Sequence, residues 1–349
     1  MEIRRLNTLR GLAALIVLVS HYSNEANLFE KLLGAGAGQT GVMMFFLLSA
    51  FLITILYIRN VPSSNNIRDY VTARVARVAP LFLAVVLGSF IVNKLLPYRI
   101  SQYAYNVSNL PTLTSHLLLA TGDSVLWTVP PEVHFYLLFI CFWLALSRFP
   151  RTVSWVLVGL VVIYFLIPQQ TPSGSILGIP FQLNLLHTFP FFLTGVLLGL
   201  LYLKWEAPTS LKYRFIWLVL LALPLTYPQM RQRIFDLDPS RAVEPWTDWT
   251  VYATVVIVFF LLVFFLPEKS PILENNFGDF LGKVSYSAYL LHMPVLRILR
   301  DEFGISGLLG LLIFLACTFA ISHISFEYFE KPSRNFLRGF AIEKRSVNE

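Results

Sequence analysis

The chain has 349 residues, of which 56% are hydrophobic and 13% charged, with a mean hydropathy of +0.65. Those values exclude an ordinary soluble domain, and apolar runs recurring from end to end read as a polytopic helical membrane protein. The net charge of +7 does not point to nucleic acid. No basic stripe interleaved with aromatics stands outside the apolar runs, and a membrane protein collects basic loops simply to orient itself.

Runs of about twenty apolar residues predict ten spans, near 10–28, 40–58, 78–97, 131–147, 152–167, 183–203, 215–228, 250–266, 284–300 and 306–328. The amino terminus is read as the first span and not as a cleaved signal, because no small-x-small site follows its apolar stretch. That span carries the most informative pair in the chain, Arg10 and His21. Eleven steps make about three helical turns, so the two side chains share a face roughly 16 Å apart. A cation then lies at the membrane edge and an imidazole deep in the bilayer, where ionisable groups are costly and functional by default.

Farther along, Arg74 and Arg77 precede Pro80, spaced i and i+3 on one helical face. Residues 98–130 form the one long connection. Its apolar stretch His116 to Ala120 is too short to span, and Pro130 and Pro131 are expected to end any helix there. A re-entrant or interfacial segment near 111–130, packed against protein, is the reading. Two cysteines, Cys141 and Cys317, sit far apart in apolar runs and suggest neither a disulfide nor a thiolate site. His116, His187 and His323 lack ligand-like spacing, so no metal role is assigned. Internal repeats are not visible.

Orientation follows from charge. With the amino terminus in the cytoplasm, nineteen of the 27 Lys and Arg residues fall inside and eight outside, as the positive-inside rule requires. The inner set includes Lys212 and Arg214, Asp238 falls outside, and both termini are cytoplasmic. The fold class is all-α: a polytopic integral-membrane helical bundle of about ten transmembrane helices.

Several stretches in the right order resemble the acyltransferase-3 family of integral-membrane acyltransferases. Arg10 and His21 are similar to its Arg-x10-His pattern, and Phe45 to Ile53 to its second span. Arg74-Val75-Ala76-Arg77 resembles its Arg-x-x-Arg motif. Trp127 to Tyr136 resembles its Trp-Ser-Leu-Ser-Val-Glu-Glu-Gln-Phe-Tyr stretch. Ser285-Tyr286 through Tyr289 to Pro294, and Glu330-Lys331-Pro332, resemble its carboxy-terminal signatures. The chain departs from the pattern at Ala50, where the family has Gly, and at Pro130, Pro131, Val133 and His134. Only Glu132 of the paired glutamates is kept, so a role for the second carboxylate is not carried over.

The resemblance implies one integral-membrane acyltransferase domain over 1–349, of the stand-alone form without a fused hydrolase-like domain. It implies transfer of an acyl group, acetyl from cytoplasmic acetyl-CoA, to a hydroxyl of an extracytoplasmic or lipid-linked glycan. Expected partners are the lipid bilayer, acetyl-CoA as donor substrate and a saccharide or lipid-linked saccharide, with no metal and no nucleic acid. The setting is a bacterial cytoplasmic (inner) membrane.

Residue chemistry points the same way. Guanidinium forks suit phosphate oxygens, so Arg10, Arg74 and Arg77 are expected to hold the CoA phosphates. His21 can take a hydroxyl proton or carry the acyl group transiently. Glu132 either orients an acceptor hydroxyl or the His21 ring, or is a helix-start carboxylate favoured by the dipole. Trp127, Tyr286, Tyr289 and His292 are possible cavity-lining residues, with His292 at a depth comparable to His21, although aromatic packing explains them too. The alternative function is a lipid or saccharide transporter or flippase using the same buried polar residues. A structural scaffold fits the intramembrane ionisable groups poorly.

Overall fold

The computed structural model describes residues 4–34, 36–167, 171–205, 216–235, 245–266, 271 and 273–346. Its helices, in chain order, are α1 (Arg4–Glu25), α2 (Ala37–Tyr57), α3 (Ser64–Leu95), α4 (Tyr98–Ser101), α5 (Leu110–Leu117), α6 (Val129–Arg148), α7 (Pro150–Leu166) and α8 (Asn184–Tyr202). Then come α9 (Ile216–Ala222), α10 (Pro228–Phe235), α11 (Trp249–Phe264), α12 (Asn276–Phe303), α13 (Gly307–Ser325) and α14 (Lys331–Ser346). A two-stranded antiparallel hairpin, β1 (Ser173–Ile176) and β2 (Ile179–Gln182), joins α7 to α8, with Ser173 opposite Gln182. The expected all-α bundle is what the chain forms. Lys212, Arg214 and Asp238, and part of the 215–228 span, lie outside the described residues.

Five helical stretches are long and apolar enough to cross a membrane by length and composition, and α7 and α11 are shorter apolar helices. α1 and α12 are equally long but carry Arg10, His21, Tyr286 and His292 within them. Leu83, Leu87 and Ile91 of α3, Trp155 and Val162 of α7, and Leu308 and Leu312 of α13 are exposed. Continuous apolar surface of this extent suits lipid and not water.

Small residues set the core. α1 packs mainly on α12 and α2, and α2 on α8. At the α1–α12 crossing a Cβ added to Gly282 would stand 2.3 Å from the Asn7 carbonyl oxygen, and one added to Gly11 would stand 2.4 Å from Leu281 Cβ. Gly41 of α2 faces the Ala13 carbonyl oxygen and Gly195 of α8 faces that of Leu47, at 2.4 and 2.6 Å by the same measure. Lipid offers no hydrophobic drive for helix association, so close backbone contact through glycines supplies it by packing. Caps close several helix starts: Ser63 accepts from Asn66 N–H, Asn275 from Gly278 N–H, and Asp248 from Thr250 and Val251.

The 98–128 connection dips into the bundle. Tyr105 donates at 2.8 Å to the Leu290 carbonyl, near the middle of α12. That carbonyl is free because Pro294, four residues on, has no N–H. Glu132, in the first turn of α6, meets Ser49, about 18 Å along α2 at the helical rise. Helix α6 therefore begins level with the middle of α2. One expectation fails here. Pro130 and Pro131 do not end a helix; they sit in the first turn of α6, into which the 3-10 turn Ser124–Thr128 runs directly. An N–H missing from a first turn costs nothing, since it has no intrahelical partner there.

Candidate active site

Two large cavities open at opposite ends of the bundle. The first, about 560 Å³, lies at the end that holds the start of α1. Its wall carries Arg10 from α1, Arg77 from α3, Lys283 from α12, and Lys331, Arg334 and Arg338 from α14, with Glu327 and Glu330. The second, about 620 Å³, lies at the other end and is lined by His21, Asn24, Gln39, Trp127, His187 and Tyr289 among others. A neck of about 40 Å³ separates them. It shares Arg10, Arg77, Ser285 and Tyr286 with the basic cavity, and Val42 and Tyr289 with the histidine cavity.

Glu132 stands in the neck. One carboxylate oxygen accepts from Tyr136 Oη at 2.5 Å and from Ser49 Oγ at 2.9 Å. Arg10 and Arg77 are the cations nearest it in the neck, and Arg10 lies within electrostatic reach of Glu132. A half-buried carboxylate held by two hydroxyls beside two guanidiniums is fixed in place rather than left as a simple dipole partner. Tyr286 Oη donates to the Val78 carbonyl at 2.8 Å, and the Tyr289 hydroxyl reaches Thr128.

His21 sits on α1 facing the second cavity, one turn from the helix end and level with the start of α2, where Gly38 N–H bonds Ser20 Oγ. The imidazole lies toward one end of the bundle, in a cavity whose wall also carries Gly122, Ser124 and, from β2, Gln182. The His292 ring packs 5.1 Å from it, centroid to centroid. His292 is fully buried and does not line a described cavity, unlike Trp127, Tyr286 and Tyr289. Its Nδ1 is 2.7 Å from the Tyr289 carbonyl oxygen. A carbonyl only accepts, so Nδ1 carries the hydrogen and Nε2 presents a lone pair, with no protein partner among the described residues.

The two arginines of the Arg-x-x-Arg stretch part company. Arg77 lines the basic cavity and the neck. Arg74 is buried behind it, its guanidinium 5.8 Å from the Tyr57 ring and 5.7 Å from the Tyr136 ring. It lines an apolar cleft between α3, α5 and α6 instead. Positions i and i+3 differ by about 60° around a helix, which suffices here to put them on two sides of one wall.

Sequence reasoning missed Ser49, Tyr136 and the basic residues of α14. Tyr136 stands one turn from Glu132, so the i, i+4 rule would have paired them. Lys331, Arg334 and Arg338 recur at helical spacing on one face, but a charged stretch after the last apolar run reads as a tail. In the structure α14 packs on α3 and walls the cavity. His116, by contrast, is structural: its Nδ1 meets the Thr112 carbonyl at 2.7 Å and its Nε2 accepts from Asp123 N–H at 2.9 Å. Among the described residues no group of three or more His, Cys, Asp or Glu is placed to hold a metal ion.

A polytopic helical bundle with an imidazole in one cavity and a cationic cavity behind it fits a membrane-embedded group-transfer enzyme. The chain belongs to the acyltransferase-3 family, whose acyltransferase-domain model matches residues 3–326. It is thus an integral-membrane acyltransferase. Neither the curated proteins nor the solved structures compared with it gave a match.

Proposed function

We propose that the protein transfers an acetyl group from cytoplasmic acetyl-CoA to a hydroxyl of an extracytoplasmic or lipid-linked glycan, with His21 as base. The observation that carries this reading is the pair of cavities meeting end to end, one cationic and one holding the imidazole. The donor's phosphates occupy the basic cavity, with Arg10 and Arg77 nearest the neck. Its slender pantetheine arm displaces the Tyr289 side chain, which borders both the neck and the histidine cavity, and brings the thioester toward His21. The rise from Arg10 to His21, on the order of 16 Å, suits an arm of that length.

The acceptor hydroxyl enters the histidine cavity from the opposite face. His21 takes its proton as the oxygen attacks the thioester carbonyl. The carbon–sulfur bond then breaks, the thiolate leaves, and the imidazolium returns the proton to sulfur, giving the ester and free CoA. A two-step route, in which His21 first carries the acetyl group, uses the same geometry. Glu132, fixed by Ser49 and Tyr136, keeps Arg10 and Arg77 aimed into the neck. Arg74 acts at one remove, packing Tyr136 in place. A transporter would need to pass a whole saccharide or headgroup through a neck of about 40 Å³, which calls for a larger opening than the slender donor arm requires, and this favours the transfer reading.

The test is His21→Ala, assayed with labelled acetyl-CoA in purified protein and by product acetylation in cells at matched expression. The variant should insert normally and lose nearly all transfer. Near-normal acetylation would end the role given to His21.

A further inference from the structure

The wall of the basic cavity carries six cations, Arg10, Arg77, Lys283, Lys331, Arg334 and Arg338, against two carboxylates. Both carboxylates are engaged: Glu327 pairs with Lys331 at 2.7 Å, and Glu330 accepts from Ser287 Oγ. Arg77, Lys283, Arg334 and Arg338 have no carboxylate partner at ion-pair distance among the described residues. Six cations against two carboxylates leave the wall with net positive charge even though Glu330 lies within electrostatic reach of Arg77 and Arg334, so the arrangement is completed by a polyanion. Three of these cations, Lys331, Arg334 and Arg338, lie on α14, beyond residue 326 where the family match ends, and Lys331 is the one already paired, with Glu327.

Depth in the cavity sorts the charges. Arg10 and Arg77 border the neck, whereas Arg334 and Arg338 line only the basic cavity, with Arg338 exposed at its rim. A linear donor threaded by its thioester must place its groups in bond order along this path. The pyrophosphate, joined to the pantetheine arm, comes to rest nearest the neck, and the ribose stays outermost. We infer that α14 forms the subsite for the ribose 3′-phosphate of the donor, with Arg334 and Arg338 as its ligands, while Arg10 and Arg77 take the pyrophosphate. This inference rests on the donor reading given above. It makes α14 the element that distinguishes a 3′-phosphorylated coenzyme from other adenine nucleotides. The guanidinium of Arg334 is already oriented, lying 5.6 Å from the Phe326 ring, so little side-chain freedom remains to be lost on binding.

The experiment titrates CoA and 3′-dephospho-CoA into the full chain purified in detergent. Wild-type protein should bind CoA more tightly, by roughly ten- to a hundredfold for charge-assisted phosphate contacts. In Arg334→Ala/Arg338→Ala that preference should vanish, with affinity for dephospho-CoA unchanged, which also reports that the variant is folded. Arg338→Gln alone, at an exposed position, should remove part of the preference and covers the case in which the double variant fails to fold. Arg77→Ala should weaken both ligands equally. A preference for CoA that survives loss of both α14 arginines overturns the subsite. Equal binding of the two ligands by the wild type also overturns it, yet leaves the donor reading standing. Binding of neither by the wild type removes the donor reading and the subsite together.

Discussion

Replacing Gly282 by Ala tests the packing on which the site depends. The new Cβ would lie 2.3 Å from the Asn7 carbonyl oxygen and 2.6 Å from Asn7 Cα. Ordinary contact begins at 3.4 Å, so α1 and α12 must part by about 1 Å, since both obstructing atoms are backbone and no side chain can swing aside. Overpacking of this kind costs roughly 1–3 kcal/mol. Gly282 stands one turn before Tyr286 and Asn7 one turn before Arg10, so the separation also spreads the neck. A displacement of about 1 Å at a reacting centre can lower kcat on the order of a hundredfold. The assay is thermal unfolding in detergent, paired with turnover of labelled acetyl-CoA. Gly88→Ala is the control. Nothing lies within 4 Å of a Cβ at Gly88, so it should gain about 0.5–1 kcal/mol from helix propensity and leave turnover alone. If Gly282→Ala melts at or above wild type with normal turnover, the close crossing of α1 and α12 is refuted.

Arg77→Ala should raise the KM for acetyl-CoA by roughly ten- to a hundredfold, whereas Arg74→Ala should lower melting temperature with little change in that KM; equal KM effects would contradict their separation. Tyr136→Phe removes one of the two hydroxyls on Glu132 and should lower turnover about tenfold, measured by the same transfer assay, with Ser49→Ala acting on the same carboxylate. Single cysteines at Asn65 and Ser333 should be shielded from an impermeant thiol reagent in intact cells and one at Ser175 labelled; the reverse pattern would invert the orientation. Burial alone would raise the Asp248 carboxyl, but hydrogen bonds from Thr250 and Arg231 outweigh it and hold it below its ordinary value. Its contribution to stability is therefore complete above the ordinary carboxylate pKa of about 4 and lost as pH falls through the lower folded value. Asp248→Asn should flatten the melting temperature over that acid range.

Hydrophobic run length located the helices well, because a span must satisfy its backbone internally and so writes its length into the sequence. Arg10, Glu132, Tyr286 and Tyr289 were legible as costly polar groups inside apolar runs, and they do meet at the neck. What the sequence hides is set by tertiary packing. Arg74 and Arg77 share a motif, but Tyr57 and Tyr136 claim one of them. His21 was placed by counting along its own helix, whereas the residues that share its cavity come from the start of α2, from the 122–127 stretch and from α12. The dip of 98–128 is held by a tyrosine filling a carbonyl freed by Pro294, a contact across 185 residues that no local pattern announces. The α14 wall escaped notice because amphipathic charge after the last apolar run resembles a solvated end.

A narrow waist between two wide, water-accessible chambers has a further consequence for the membrane that houses it. At about 40 Å³, against about 560 and 620 Å³ on either side, the waist is the part of the path that restricts any file of waters along which protons or ions would leak. Two guanidiniums beside it repel stray cations as well. On the proposed reading, such a waist lets the bilayer keep its electrical insulation while the two sides of the reaction face different compartments. On the same reading the donor's arm enlarges the opening and fills it in the same movement, acting as its own stopper.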